Sequence, residues 1–232
     1  MLKKDIILQA RSSSTRLPGK IFMELGGKTM LEQILIRLTK TENVRYVCVA
    51  TILKDFLKIS NISKKYGCKT IWGSERDVLG RFIKAAKILG SEIVVRTTAD
   101  NPLVDYETLS CVLPSFDSSS CDLMVVDGLP YGAGFEIISA SVLKRLGTLA
   151  KKPEEREHVT LYIYNHPDKF KIKRLTAPSD LYAPELRVTV DTEEDIKRAR
   201  RYYSLYFNEK IGMVNLREVI KYEYFKSNNH IL

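Results

Sequence analysis

The segment Ala10-Arg11-Ser12-Ser13-Ser14-Thr15-Arg16-Leu17-Pro18-Gly19-Lys20 gathers three cations and four hydroxyls in one short stretch. Those residue types suit phosphate. Hydroxyl and backbone N–H groups donate to its oxygens, and Arg11, Arg16 and Lys20 neutralise its charge. The segment is not a Walker A loop, because Ser14 stands where the first glycine falls and Ile21 follows the lysine in place of Ser or Thr. The dinucleotide-binding glycine fingerprint is missing too. A second stretch, Arg96-Thr97-Thr98-Ala99-Asp100-Asn101-Pro102, puts a carboxylate just past an apolar run, and a third, Val188-Thr189-Val190-Asp191-Thr192, repeats the arrangement. Either aspartate alone would serve as a helix N-cap. As a pair beside a phosphate loop they make an oxygen-rich site suited to Mg²⁺, which takes one or two protein carboxylates plus substrate phosphates.

Loops of this kind need strands behind them. Residues 5–9 (DIILQ) read as a short strand, and Met30 to Lys40 as an amphipathic helix with Leu31, Ile34, Leu35 and Leu38 on one face and a Thr29/Glu32 capping box. The alternation repeats. VRYVCVAT (44–51) predicts a strand, 55–66 a helix stopped at Gly67, and CKTIW (68–72) a strand; Ser74 and Asp77 open a helix to Leu89 ahead of Gly90, and EIVVRTT (92–98) is the fourth strand. Four β-α units in succession predict a mainly parallel sheet with helices on both faces, and ligands of such sheets bind beyond the carboxyl ends of the strands. Past residue 120 the pattern loosens. CDLMVV, FEII and KIKRL read as strands and 139–149 and 153–165 as helices, while ELRVTV (185–190) reads as a returning strand that leads into Asp191 and a helix from Thr192. A last helix is predicted over 214–225. One domain spans 1–232, with 127–180 as a subdomain.

The chain has 232 residues, 44% hydrophobic and 28% charged, the proportions of a globular protein. It shows no leader peptide and no run of about 18 apolar residues, so a cytoplasmic protein without a membrane partner is expected. Cys48, Cys68, Cys111 and Cys121 lack zinc-site or disulfide-framework spacing and read as reduced, mostly buried thiols, and His158, His166 and His230 lack the spacing of a helical metal site. Net charge is +9, and residues 1–65 hold 13 Lys and Arg against 5 Asp and Glu. The positive charge therefore collects around the first loop. Most tyrosines lie in the last hundred residues, away from it, which points to a small anionic ligand and not to nucleic acid.

QARSSSTRLPGK resembles the signature of the cytidylyltransferases that make CMP-activated acidic sugars, and GSERDVLGRF, RTTADNP, EREHVT and RVTVDTEED together resemble their spore-coat polysaccharide branch. The match runs in order through nearly the whole chain. It implies a three-layer α/β/α nucleotide-diphospho-sugar transferase fold, Rossmann-like with a mainly parallel sheet. It further implies CTP as donor, an acidic sugar or small phosphorylated acceptor, pyrophosphate as leaving group, and Mg²⁺ on Asp100 and Asp191. Arg11, Arg16 and Lys20, with Ser12 and Ser14, would then hold the phosphates. Thr97, Thr98 and backbone atoms from Leu8 to Ala10 would read base and ribose, although both threonines are also good strand residues. Arg76 and Asp77 match a family motif near the nucleotide, and equally a helix-capping pair.

By the same resemblance the acceptor lies over residues 127–190, with Glu136, Glu157, His158 and Arg187 facing it. The guanidinium of Arg187 suits a carboxylate or a phosphate; residues 154–157 equally read as a solvated first helical turn. A homodimer is implied; of the C-terminal aromatics Tyr202, Tyr203, Tyr206, Phe207, Tyr222, Tyr224 and Phe225, most read as core and some as interface residues. Two other readings compete. A glycosyltransferase of the same fold, using a nucleotide sugar, would normally carry an Asp-x-Asp motif, and the window Ala99 to Pro102 lacks the second aspartate. A non-catalytic nucleotide- or polyanion-binding protein would not need both aspartates and all three loop cations.

Overall fold

Ile6, Ile7 and Leu8 are each fully buried, so the first strand is covered on both faces, as a central parallel strand must be. In a computed structural model of the chain, which describes residues 2–229, this strand is β1 (Lys4–Gln9). The polar loop follows, then a hairpin of β2 (Glu24–Leu25) and β3 (Lys28–Thr29), and α1 (Met30–Leu38). Next come β4 (Tyr46–Ile52), α2 (Phe56–Lys65), β5 (Lys69–Gly73), α3 (Val78–Leu89) and β6 (Ile93–Thr98). The middle of the chain carries α4 (Tyr106–Val112), β7 (Leu123–Asp127), β8 (Glu136–Ser139), α5 (Ala140–Leu149), α6 (Pro153–Glu157), α7 (Leu161–Asn165) and β9 (Ile172–Thr176). It ends with α8 (Glu193–Tyr206), a hairpin of β10 (Phe207–Asn208) and β11 (Met213–Val214), and α9 (Leu216–Asn229).

Seven strands form one sheet in the order β5-β4-β1-β6-β8-β7-β9, with β8 antiparallel to both neighbours and the other pairings parallel. Strand period two divides the core. Ile6 and Leu8 join Leu31 of α1 and Ile196 of α8 on one face, while Ile7 joins Phe82 of α3 and Leu146 of α5 on the other. Each such fully buried side chain contributes about 1.5–3 kcal/mol. The result is the three-layer, Rossmann-like α/β/α fold expected from the sequence. Local signals agree with it: Thr29 and Glu32 form a reciprocal capping box, Asp77 caps α3 by accepting from the Gly80 N–H at 2.8 Å, and Gly67 and Gly90 are left-handed where α2 and α3 stop.

Strand order reverses at β1, which lies between β4 and β6, and Gln9 is level with Thr98 across the β1–β6 ladder. The loops after β1 and β6 therefore leave the sheet side by side at a switch point, where doubly wound sheets bind ligands.

Two expected elements differ. Residues 185–190 form no strand: Glu185 lies in a turn, and the residues after it make an isolated bridge, Tyr131 to Arg187, in place of a ladder. Their neighbours are loops: Val188 N–H donates to Tyr131 O and Val190 N–H to Asp100 O, each at 2.8 Å. Gly132, at φ 102, sits so close that a Cβ there would lie 2.4 Å from Thr189 N. The helix predicted over 153–165 breaks between α6 and α7 at His158 to Thr160. The break buries Val159 completely and lets the Thr160 and Tyr164 hydroxyls reach Glu136.

Cys48, Cys68 and Cys121 are buried free thiols and Cys111 is exposed. Burial pushes the Cys48 thiol up to about 12 and that of Cys68 to about 11. His230 lies outside the described residues. Among the described residues no helix is long and apolar enough to cross a membrane.

Candidate active site

The loop after β1 is held by its neighbours before any ligand is considered. Ser12 donates from its backbone N–H and its hydroxyl to the Asp55 carboxylate, each at 2.7 Å, and Ser13 Oγ donates to Glu75. Gly19 closes the loop, donating from N–H to Ser12 O at 2.9 Å, and its left-handed φ of 71 starts the short turn that carries Lys20 inward. Lys20 is 7% exposed. Its Nζ donates to Asp191 Oδ1 at 2.9 Å and to Val190 O at 2.7 Å, and lies 3.6 Å from Asp100 Oδ2. The two aspartates singled out in the sequence thus converge on one ammonium.

Asp191 reaches this point because the extended segment before it is tied to the loop after β6: Val190 N–H and Thr189 Oγ1 both donate to Asp100 O. It does not cap α8. Thr192 is the cap, Asp195 completes the capping box, and Asp191 only donates its N–H to Asp195 Oδ2 at 2.9 Å. Its carboxylate is free for the site, where Oδ1 accepts from Lys20 and forms an ion pair with Arg16 at 2.9 Å, and Oδ2 accepts from Arg187 at 2.6 Å. Burial alone would raise the Asp191 carboxyl, but the Lys20 hydrogen bond and charge, with Arg16 and Arg187, hold it below the usual carboxylate range. Asp100 is less enclosed, and its Oδ1 accepts from Thr98 Oγ1 at 2.6 Å.

A cleft of about 260 Å³ lies between the loop, Asp100, Asp191 and α6, lined among others by Ala10, Arg11, Ser14, Arg16, Lys20 and Thr98. It opens into a larger cleft of about 530 Å³ over the ends of β6, β8, β7 and β9, and the two share Gln9, Arg16, Thr98, Asp100, His158 and Asp191. A chain of charge therefore connects a phosphate-sized space to a larger polar one. Two carboxylates meeting at one cation are a donor set that fits an ion taking one or two protein carboxylates and completing its shell from substrate phosphates. Among the described residues no cluster of three or more His, Cys, Asp or Glu is arranged to hold a metal by itself.

The remaining expected residues divide. Arg11 is on the cleft wall, donating to Glu157 Oε1 at 3.0 Å and Glu75 O at 3.4 Å, and Glu157 and His158 stand opposite on α6 and its end. Leu8 is fully buried and its backbone belongs to the sheet, so it lies beneath the cleft. Thr98 lines both clefts; Thr97 lines the larger one, although its hydroxyl is buried without a partner on the face of Leu8. Ser12 is occupied by Asp55. Arg76 is exposed and lines neither cleft, and Asp77 caps α3 and pairs with Arg156. Glu136 is on the floor of the larger cleft, but its carboxylate already accepts from Arg96 at 2.7 Å, Thr160 at 2.9 Å and Tyr164 at 2.6 Å. Arg187 lines neither cleft: it holds Asp191 and lies over the Tyr131 ring, 4.9 Å from its centre.

Sequence reasoning assigned no side-chain role to Gln9, Arg96 or Arg174, all of which line the larger cleft, where Arg174 pairs with Asp127 at 2.8 Å. A signal existed for Arg96, a cation inside an otherwise apolar strand. None marked Asp55, whose partner is 43 residues away.

Comparison with known proteins adds an independent line. A family profile described as Cytidylyltransferase matches residues 6–227. The spore coat polysaccharide biosynthesis protein SpsF of Bacillus subtilis (strain 168) is 34% identical over 205 residues, covering 85% of each chain. The solved structure of a cytidylyltransferase from Leptospira borgpetersenii serovar Hardjo-bovis superposes with a TM-score of 0.87 at 32% identity, over 96% of this chain and 95% of that one. CMP:2-keto-3-deoxy-manno-octonic acid synthetase in complex with CTP shares the fold, with a TM-score of 0.67 at 18% identity over 87% of this chain and 98% of that one.

Proposed function

The chain belongs to the cytidylyltransferase family and is a CTP-dependent nucleotidyltransferase; from that premise we propose that it transfers CMP from CTP to an acidic sugar or small phosphorylated acceptor, releasing pyrophosphate, in surface polysaccharide synthesis. The observation that carries the reading is the convergence of Asp100 and Asp191 on Lys20 beneath the Arg16 loop, at the junction of the two clefts. Triphosphate in the smaller cleft puts its outer phosphates against Arg16 and Lys20. The α-phosphorus then lies near the two aspartates, and an acceptor oxygen approaches from the larger cleft, opposite the leaving pyrophosphate. These residues act by positioning and electrostatics, the main components of phosphoryl-type transfer. Asp100 and Asp191 would hold Mg²⁺, and such an ion supplies positive charge at the attacked phosphate.

Arg96 and Arg174 in the larger cleft support an anionic acceptor, and the spore coat role of the Bacillus relative supports a polysaccharide context. A homodimer is part of the same reading. The test is thermal unfolding with CTP, UTP, GTP or ATP, each with and without Mg²⁺, followed by a pyrophosphate-release screen of acidic and phosphorylated acceptors. A ligand at 100 times its Kd adds about 2.7 kcal/mol. A shift confined to CTP with Mg²⁺ supports the proposal. An equal response to all four nucleotides, or to none, refutes the donor assignment.

A further inference from the structure

Three cations close on the Asp191 carboxylate, and they are not equivalent. Arg187 lines neither cleft and meets Oδ2 at 2.6 Å from over the ring of Tyr131, a residue of the larger cleft's wall. Arg16 and Lys20 both meet Oδ1, each at 2.9 Å, both come from the phosphate loop, and both line the smaller cleft. The Lys20 ammonium is also 3.6 Å from Asp100 Oδ2. It therefore occupies the space between the carboxylates through which a divalent ion shared by them must pass. An ion bound to Oδ1 at about 2.0–2.1 Å would press against two positive groups, and Lys20 is too buried for water to screen the repulsion. The oxygens of a triphosphate attract the same two cations.

We infer that Arg16 and Lys20 are built-in counter-cations: they exclude a divalent ion from Asp100 and Asp191 until a triphosphate draws them away, so that nucleotide and ion bind as a cooperative pair. Arg187 has no such alternative partner in the cleft and holds Asp191 in place through the exchange. The inference rests on the proposed role of the two aspartates as ion ligands and adds an order of events to it. Coupling of this kind is reciprocal: whatever CTP adds to ion affinity, the ion adds to CTP affinity.

The experiment titrates the full chain with Mn²⁺ alone, following the free-ion electron paramagnetic resonance signal, in the wild type, Lys20→Met and Arg16→Met. Lys20→Met is expected to bind Mn²⁺ at least about tenfold more tightly than the wild type, equivalent to about 1.4 kcal/mol. Arg16→Met should move the same way by less. Adding Asp191→Asn to Lys20→Met should abolish the gain. Arg16 is mostly exposed, so Arg16→Met decides the matter if Lys20→Met fails to fold.

A parallel thermal-shift series with CTP, Mn²⁺ or both separates the two layers of the reading. If the wild type gives a CTP shift that depends on Mn²⁺ and on Asp191, while neither single variant binds Mn²⁺ more tightly than the wild type, the exchange is wrong and the ion assignment stands. A CTP shift indifferent to Mn²⁺ overturns both. Wild-type protein that binds Mn²⁺ as tightly without nucleotide as with it overturns the exchange.

Discussion

Asp100 and Asp191 look alike in sequence, yet replacing each with asparagine should have different consequences. Asp191 is 7% exposed and neutralises three cations, one of them the buried Lys20. Asp191→Asn keeps the shape but removes the charge, leaving the ammonium with Val190 O and a carboxylate 3.6 Å away. Breaking a buried pair costs about 3–5 kcal/mol. The lower end applies here because those two acceptors remain and because Arg16 can turn to water, so about 3 kcal/mol is expected. At about 2–4 °C per kcal/mol for a chain of this size, the melting temperature should fall by about 6–12 °C. The Asp100 side chain is one-third exposed and touches Lys20 only at 3.6 Å, which screening reduces to about 0–1 kcal/mol. Asp100→Asn should therefore melt within a few degrees of the wild type. Both variants should lose the stabilisation by CTP with Mg²⁺ and about 10²–10³ of turnover, the scale of one key electrostatic group. Circular dichroism melts with and without CTP and Mg²⁺ check both parts. Equal loss of melting temperature in the two variants, or an Asp191→Asn protein as stable as the wild type, would falsify the reasoning.

The capping carboxylate Asp195 is opposed by burial but held at about 2 by the Asp191 N–H, Arg198 and Thr192, against an ordinary 3.8. Its folded value lies below its unfolded one, so its contribution of about 2 kcal/mol is complete above about pH 4 and disappears toward pH 2. Urea melts from pH 5 to 2 should show that loss, and Asp195→Asn should flatten the slope; an unchanged slope removes the assignment. Gly132→Ala should lower stability by at least about 1–3 kcal/mol and weaken the CTP response, since its Cβ would push on the segment that carries Asp191, whereas Gly134, with open space at its Cβ, should tolerate alanine; matching melts for the two would contradict this. Arg174→Ala should leave the shift by CTP with Mg²⁺ intact and raise the acceptor KM, while Arg187→Ala should reduce the CTP shift. The reverse pattern would return Arg187 to the acceptor side.

The parallel half of the sheet was legible because its signals are local: apolar runs, glycines in left-handed positions, and caps such as Thr29/Glu32 and Asp77 that need only three or four residues. The pairing of Asp100 with Asp191 was legible for a different reason, since two carboxylates after apolar runs near a cationic loop have few other uses. Residues 185–190 misled because β-branched alternation reports an extended backbone, not a ladder partner; the partners here are the loops at 99–101 and 129–134. The helix predicted over 153–165 misled because periodicity is blind to Glu136, which draws in Thr160 and Tyr164 from 24 and 28 residues away.

The same blindness bears on the acceptor roles expected of Glu136 and Arg187. A sequence displays charges, but what a charge does depends on which partner already holds it. Glu136 is saturated by Arg96, Thr160 and Tyr164, so it shapes the larger cleft by fixing Arg96 and has little capacity left to bind a ligand. Arg16 and Arg187 are the same residue type on the same carboxylate, yet Arg16 enters with a largely exposed side chain from the smaller cleft and Arg187 is stacked on Tyr131, at the wall of the larger one. In the proposed exchange, the first is the one that a triphosphate in the smaller cleft draws away. What separates a ligand-binding arginine from a positioning one at this site is thus the oxygen of Asp191 that each has claimed and the side of the carboxylate from which it arrives.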